Sequence, residues 1–129
     1  MSSESQVAGK PLVDVNDRAF AFAVRVVKLC KYLEKGSDVS RSLINQLMRA
    51  ASSVGANLEE AIAGQSRPDF IHKSAIALKE AREANYWLRL IQETSTFDAE
   101  IRSGISELAG ESMEIARILG KRIVTSKIS

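Results

Sequence analysis

The chain has 129 residues, 45% of them hydrophobic and 26% charged, which suits one globular domain of ordinary size. Its 2 prolines, 7 glycines and 5% aromatic residues favour long helices with an aliphatic core over a sheet sandwich. A net charge of +2 lacks the strong bias of a dedicated nucleic-acid binder, and the single cysteine, Cys30, excludes an intrachain disulfide and fits a reducing compartment.

The first part of the chain carries no targeting signal that can be recognised. Residues 1–10 lack the basic and then apolar order of a signal peptide, and no apolar run approaches the roughly 20 residues of a membrane span. We therefore expect a cytoplasmic protein without membrane association. Residues 1–13 show no hydrophobic periodicity and are predicted to be a flexible tail, so residues 14–129 form the predicted domain.

Helices 1 and 2 are predicted from apolar residues that recur at three- and four-residue steps. Helix 1 is predicted over about 15–35, with Asn16 or Asp17 as its cap and Gly36 at its end. The residues on its core face are Ala19, Phe22, Ala23, Val26, Cys30 and Leu33. Helix 2 is predicted over about 40–63. The residues on its core side are Leu43, Leu47, Val54, Leu58 and Ile62.

Helix 3 is predicted over about 66–93, with Pro68 in its first turn, where a missing N–H needs no partner. Its core side consists of Phe70, Ser74, Ala77, Leu78, Ala81 and Leu88. Helix 4 is predicted over about 98–124, and its regular stripe consists of Ile101, Ile105, Leu108, Ser112, Ile115, Leu119 and Ile123. Short connections force neighbouring helices to be antiparallel, so the chain is predicted to be an all-α, up-down-up-down four-helix bundle.

Helices 1 and 3 carry more apolar residues than one core stripe requires. On helix 1, a second stripe consists of Phe20, Val24 and Val27. On helix 3, the residues placed roughly opposite the core side are Ile76, Trp87, Leu90 and Ile91. Scattered apolar side chains are normal on a surface, but large apolar patches usually mark interfaces. We therefore predict that the protein self-associates through these residues.

Helix 2 places polar side chains on one narrow stripe, which consists of Gln46, Arg49, Ser53, Asn57 and Glu60. Small residues beside the stripe, which let another backbone approach, are Ala50, Ala51, Gly55 and Ala56. The stripe is either a solvated face or a polar network across a helix or subunit contact. In a network we expect Arg49 to pair with Glu60, because burying either charge alone costs several kcal/mol, and Glu83 of helix 3 could join them.

Two segments of the sequence carry a family resemblance. Residues 49–60 read Arg-Ala-Ala-Ser-Ser-Val-Gly-Ala-Asn-Leu-Glu-Glu, and Asp69-Phe70 is followed by Ile-Ala-Leu-Lys-Glu-Ala-Arg-Glu over 76–83 and Tyr-Trp-Leu over 86–88. Together they resemble the four-helix-bundle family named for intervening sequences of bacterial 23S ribosomal RNA genes. The match covers nearly the whole chain. A glycine usually follows the first glutamate of the family pattern, where this chain has Ala61, so helix 2 is expected to continue to Gly64.

The resemblance implies a bundle that associates as a ring, commonly a homopentamer. It also implies a relation to the accessory proteins of diversity-generating retroelements, which are basic rings that bind nucleic acid and a reverse transcriptase. The family has no established biochemical activity, and its ribosomal name reflects gene location.

Residues that could support catalysis are few. His72 is the single histidine, and Asp69-x-x-His72 supplies only one half of a metal site, so we predict neither a metal nor another cofactor. Cys30 lies on the predicted core face and has no evident basic partner, which fits a small buried hydrophobe better than a nucleophile. No glycine-rich phosphate loop occurs. We therefore predict that the protein is not an enzyme.

Basic residues form two clusters, one on helix 1 (Lys28, Lys31, Lys35) and one at the end of helix 4 (Arg117, Lys121, Arg122, Lys127). Such cations either lie in solvent and complement a helix dipole or contact phosphates, and a ring would repeat each cluster several times. Two hypotheses follow. The protein is a homo-oligomeric accessory factor that binds RNA or DNA, or it is a scaffold that binds another protein and no nucleic acid.

Overall fold

The computed structural model describes residues 14–64 and 66–128, and this part of the chain forms four helices. They are α1 (Val15–Gly36), α2 (Arg41–Ala63), α3 (Arg67–Thr94) and α4 (Ala99–Ile128). Since the described residues include no strand, the prediction of an all-α, four-helix chain is confirmed. The predicted tail over residues 1–13 lies outside the described residues.

The helices begin at short polar side chains. The Asp14 carboxylate accepts a hydrogen bond from the backbone N–H of Asn16, so the cap of α1 precedes the predicted Asn16 or Asp17. The Ser40 and Ser66 hydroxyls each accept a hydrogen bond from the backbone N–H three residues later, which caps α2 and α3. At the other end of the chain, α4 continues to Ile128, past its predicted end near residue 124.

Adjacent helices run antiparallel. The ion pairs Arg18–Glu111 and Arg25–Glu107 join α1 to α4, so residues later in α1 meet residues earlier in α4. In the same way α2 packs against α1 and α3, and α3 packs against α4. The short links between consecutive helices leave no room for another arrangement, and the up-down-up-down order follows.

The interior is aliphatic and rich in alanine. The small side chains that are fully buried along α2 and α3 are Ala50, Ala51, Ala77, Ala81 and Ala84. Larger buried side chains, Phe22, Val26 and Leu33 among them, extend inward from α1. The predicted core residues of α1 are therefore buried except Ala23, and those of α4 are buried except Ile101, both of which are half-buried.

The core face of α2 differs in detail from the prediction. Ile44, which was not assigned to the core, is buried, whereas Leu43 is half-buried. Ile62 was assigned to the core but is 61% exposed. The neighbouring Ala61 takes the inward position in the last turn, and the next residue of a helix points about 100° away.

None of the helices in the part of the chain that the structure describes is long and apolar enough to cross a membrane.

Candidate nucleic-acid interface

An open cleft of about 860 Å³ lies where the start of α1, the first turn of α3 and the C-terminal half of α4 meet. Its apolar wall consists of Val15, Phe70 and Ile118. Its charged side chains are the cations Arg18, Arg117, Lys121 and Arg122 and the carboxylates Asp14 and Glu114. The fold therefore brings three residues of the predicted basic cluster on helix 4 to one cleft and adds Arg18 to them. Lys127, the fourth residue of that cluster, is exposed in the last turns of α4 and does not line the cleft.

The cations of the cleft differ in how they are compensated. Arg117 donates two hydrogen bonds to the Glu114 carboxylate, and this interaction raises the pKa of Arg117 and lowers the pKa of Glu114. The Arg122 guanidinium lies 5.5 Å from the centre of the Phe70 ring, in a cation–π arrangement. Lys121 is exposed and forms no ion pair with any residue that the structure describes. Positive charge is therefore left over on the α4 side of the cleft.

Arg18 of α1 lines the cleft and also forms an ion pair with Glu111 of α4. Its Nε and Nη2 atoms donate to the two carboxylate oxygens of Glu111, at 2.9 and 2.7 Å. These hydrogen bonds raise the pKa of Arg18, against the smaller opposing effect of burial. A two-point contact between planar groups also fixes orientation, so the pair holds the start of α1 against α4.

The second basic cluster lies at the opposite end of the bundle. Lys28 lines a smaller cleft, of about 520 Å³, together with Gly104 and Glu107 from the first half of α4. Lys31 and Lys35 are exposed, and all three lysines of this cluster lack an ion pair among the described residues. Because Lys121 follows Gly104 by 17 residues along α4, the two clusters are about 25 Å apart at 1.5 Å per residue. One chain does not join them into a single surface.

The predicted network on α2 exists with different partners. Arg49 contacts Glu83 and Glu80 of α3 at 3.2 and 3.6 Å, so the structure brings Glu83 to Arg49 and adds Glu80. The predicted Arg49–Glu60 pair is wrong, since Glu60 pairs with Lys73 at 2.8 Å and thereby raises the pKa of Lys73. Arg49 and Glu60 are 11 residues apart on one helix, a separation of about 16 Å along its axis.

Two further members of the predicted network bond within their own helix. The Ser53 hydroxyl donates to the backbone carbonyl of Arg49, and the Asn57 amide donates to the carbonyl of Ser53. These bonds to the preceding turn are ordinary for such residues inside a helix. They satisfy the two side chains without a second helix or subunit.

The predicted oligomer-interface residues divide into three groups. Phe20 and Val24 on α1 are exposed, Phe20 by 65%, whereas Val27 is half-buried. On α3 the half-buried residues are Ile76, Trp87 and Leu90. Ile91 was assigned to the interface and is 0% exposed, so that assignment is wrong. It stands one helical turn beyond the buried Leu88, on the core side of α3, whereas Leu90 is turned about 100° away.

The indole N–H of Trp87 is buried without a hydrogen-bond partner among the described residues, although Trp87 packs against the core. Glu80 Oε1 also lacks a hydrogen bond within this part of the chain and lies 3.6 Å from the Arg49 guanidinium. Buried polar groups without a partner are rare in folded proteins. Glu80 and Trp87 are seven residues apart and therefore lie on the same side of α3.

The two residues considered for catalysis are Cys30, which is buried, and His72, which is exposed. Cys30 is fully buried, its Sγ lies 3.8 Å from the carbonyl of Ile44, and burial raises the pKa of the thiol to about 12. A thiol that stays protonated is a poor nucleophile. His72 is exposed, and no group of three or more potential metal ligands occurs within residues 14–64 and 66–128.

Sequence reasoning missed the ion pairs between α1 and α4 and the place of Phe70 in the cleft. A signal for the ion pairs is present. Arg18 and Arg25 are seven residues apart, and their partners Glu111 and Glu107 are four apart, so each pair of like charges lies on one side of its helix. Opposite charges on matching sides of two helices mark facing flanks. The position of Phe70 had no comparable signal, because it depends on how the start of α3 meets α4.

The fold and these surfaces define a small antiparallel helical bundle with an internal aliphatic core and two separate basic clusters. The sequence matches the family described as 23S rRNA-intervening sequence protein over residues 12–121. The match includes most of all four helices, and the chain belongs to this family. No curated protein matches the sequence.

A solved structure supports the assignment. The chain is similar to a protein with unknown function from the S23 ribosomal protein family of Bacteroides thetaiotaomicron, with 39% identity and a TM-score of 0.77. The similarity covers 85% of this chain and 98% of that one. The shared fold therefore extends over nearly the whole of the neighbour.

Proposed function

We propose that the protein is a non-enzymatic, homo-oligomeric bundle that associates with nucleic acid through its two basic clusters. One observation carries the proposal. The lysines of both clusters, Lys28, Lys31, Lys35, Lys121 and Lys127, form no ion pair within the described part of the chain. Cations of this kind bind phosphates at little cost, because no internal ion pair has to break first.

Self-association is the second part of the proposal, with a homopentameric ring as the expected form. Phe20 is exposed by 65% and Val24 by 37% on the outer side of α1. The half-buried side chains of Ile76, Trp87 and Leu90 on α3 offer further apolar surface to a second copy. A closed ring would repeat each basic cluster once per copy, so weak individual contacts would add up to useful affinity.

A protein-binding scaffold without nucleic-acid affinity is the second candidate function. The modest net charge of +2 favours it. So does the surface between α2 and α3, where Arg49, Glu80, Glu83, Glu60 and Lys73 compensate one another. A surface of paired charges beside half-buried apolar residues fits a protein partner better than a phosphate backbone.

Charge reversal in the helix 4 cluster tests the first candidate. We expect Lys121→Glu with Arg122→Glu to weaken binding to a labelled RNA or DNA strand at least tenfold at low salt, measured by fluorescence anisotropy. Because each lost phosphate contact lowers the salt slope by about 0.7 for single strands, the slope should fall by about 1.4. Lys79→Glu with Arg82→Glu is the matched control, since both are exposed α3 cations outside the two clusters.

The outcomes separate the candidates. An equal loss in the control variant would show an effect of net charge alone and would remove the site assignment. Wild-type protein without salt-sensitive affinity for either nucleic acid would favour the scaffold. Size-exclusion chromatography with light scattering tests the oligomeric state. The proposal requires a native mass near five times the 14.1 kDa of one chain. A monomer would overturn the ring.

A further inference from the structure

We infer that the cleft between α1, α3 and α4 takes one unpaired base of a single-stranded nucleic acid. The base would lie against Phe70 and Ile118, and its phosphate beside Lys121. This inference rests on the proposed function. It specifies that the nucleic acid is single-stranded and that one of its bases lies in this cleft.

The shape of the cleft favours a ligand of nucleotide size. Its volume of about 860 Å³ falls inside the range of roughly 300–1,000 Å³ in which proteins hold small organic groups. Val15 closes the wall and is buried, while Phe70 and Ile118 are half-buried and keep part of their surface open. The cleft therefore offers an apolar wall as well as charge, and a ligand that fills it has an apolar part.

The charge of the cleft favours an anion. Arg18 is neutralised by Glu111, and Arg117 by Glu114. Lys121 and Arg122 have no carboxylate partner among the described residues. The cationic surplus therefore lies next to the apolar wall, on the α4 side. A nucleotide, in which a sugar links the planar base to the phosphate, matches both parts at once.

The Arg122–Phe70 pair favours a base as the apolar part. Nucleobases stack on aromatic rings and on guanidinium planes, and every base has a face suited to this contact. The Arg122 guanidinium already lies over the Phe70 ring, 5.5 Å from its centre, so the ring holds the guanidinium in place for a base to stack beside it. Bases of a duplex are enclosed by their neighbours, and only an unpaired base can enter.

The cleft beside Lys28 provides an internal contrast. It is lined by the aliphatic side chains of Leu29, Ile101 and Leu108, and by the carboxylates Glu100 and Glu107. No aromatic ring lines it, and its two carboxylates balance its two cations, Arg25 and Lys28, whereas the larger cleft has four cations and two carboxylates. We therefore expect the α1 lysines to contact phosphates from outside, without a preference for unpaired bases.

The test compares three ligands of equal length on the full chain: a thymidine strand of about 12 nucleotides, the same strand without bases, and a duplex. Stacking of one base contributes enough that the thymidine strand should bind about fivefold or more tightly than the base-free strand. In Phe70→Leu and Arg122→Lys, which keep apolar volume and charge respectively, this preference should disappear. Thermal unfolding checks that both variants fold.

Tyr86→Leu is the matched control. The ring of Tyr86 lies 5.8 Å from the Arg89 guanidinium and is 50% exposed on α3, outside the cleft. The variant should keep the full preference. If it loses the preference equally, stacking occurs on any arginine-covered ring, and the cleft is not the site.

Three further results would overturn the inference. Equal affinity for all three ligands would leave the proposed function intact and remove the base site. A lower native mass in Phe70→Leu would show that the cleft is covered by a second copy of the chain. Wild-type protein that binds none of the ligands at low salt would overturn the proposed function and the base site together.

Discussion

The two ion pairs that join α1 to α4 should contribute unequally to stability. Arg18 and Glu111 meet at two points and are 29% and 26% exposed, whereas Arg25 and Glu107 meet at one point and are 48% and 65% exposed. Two charges 4 Å apart interact by about 4 kcal/mol at an effective dielectric constant near 20. Exposure and side-chain entropy reduce this to about 1 kcal/mol for Arg18–Glu111 and to about 0.3 kcal/mol for Arg25–Glu107.

A double-mutant cycle measures each value. Arg18→Gln, Glu111→Gln and the double variant are unfolded in urea at one protein concentration, and the coupling free energy is the part that is not additive. The same cycle at Arg25 and Glu107 is the control. Raising the salt concentration to about 1 M should lower both couplings. A coupling near zero for Arg18–Glu111, or equal couplings for the two pairs, would refute the argument from geometry and burial.

Two further predictions concern single residues. Gly55→Ala should stabilise the protein by about 0.5 kcal/mol or more, because helical glycine is unfavourable and a Cβ there lies at an ordinary contact distance of 3.8 Å from Ala19. Gly55→Leu should destabilise the protein, because a larger side chain does not fit beside Ala19. Urea unfolding midpoints that rank the two variants and the wild type in another order would contradict this prediction. Burial raises the pKa of Cys30 from 9.0 to about 12, so the unfolded chain loses its proton first and stability falls between these pH values. From pH 8 to 10 the wild type should lose about 1.4 kcal/mol more than Cys30→Ala, as urea unfolding would show; equal losses contradict the assignment.

Most of the fold could be predicted because it depends on local signals. Hydrophobic periodicity placed four helices, and Ser40 and Ser66 marked two of their starts. The wrong assignments of core and surface residues occur where two apolar residues are adjacent or nearly adjacent in a helix and only one of them can face the core. Ile62 and Ile91 were assigned from their apolar character, yet the first is exposed and the second buried, because a one-residue step turns a side chain by about 100°.

The candidate site was harder to predict because it depends on register between helices. The sequence identified Arg49 and Glu60 as network members, but their partners Glu83 and Lys73 lie on α3. Which residues meet depends on the axial register between α2 and α3, and the hydrophobic periodicity of a single helix does not determine this register. The basic residues of α4 were found from composition, whereas the apolar wall beside them required three helices to be placed together.

The contact between α1 and α4 also affects how the protein unfolds locally. On that side α1 is bordered by two clefts and bridged by ion pairs, whereas α2 and α3 meet through fully buried alanines. Proteins unfold in cooperative parts, and the part with the least apolar packing opens at the lowest free energy. The amide hydrogens of α1 should therefore exchange with solvent through detachment of this one helix, at a lower free energy than global unfolding. Proteases would first reach the chain in the same state, and the wall of the cleft that Val15 closes would be lost with it.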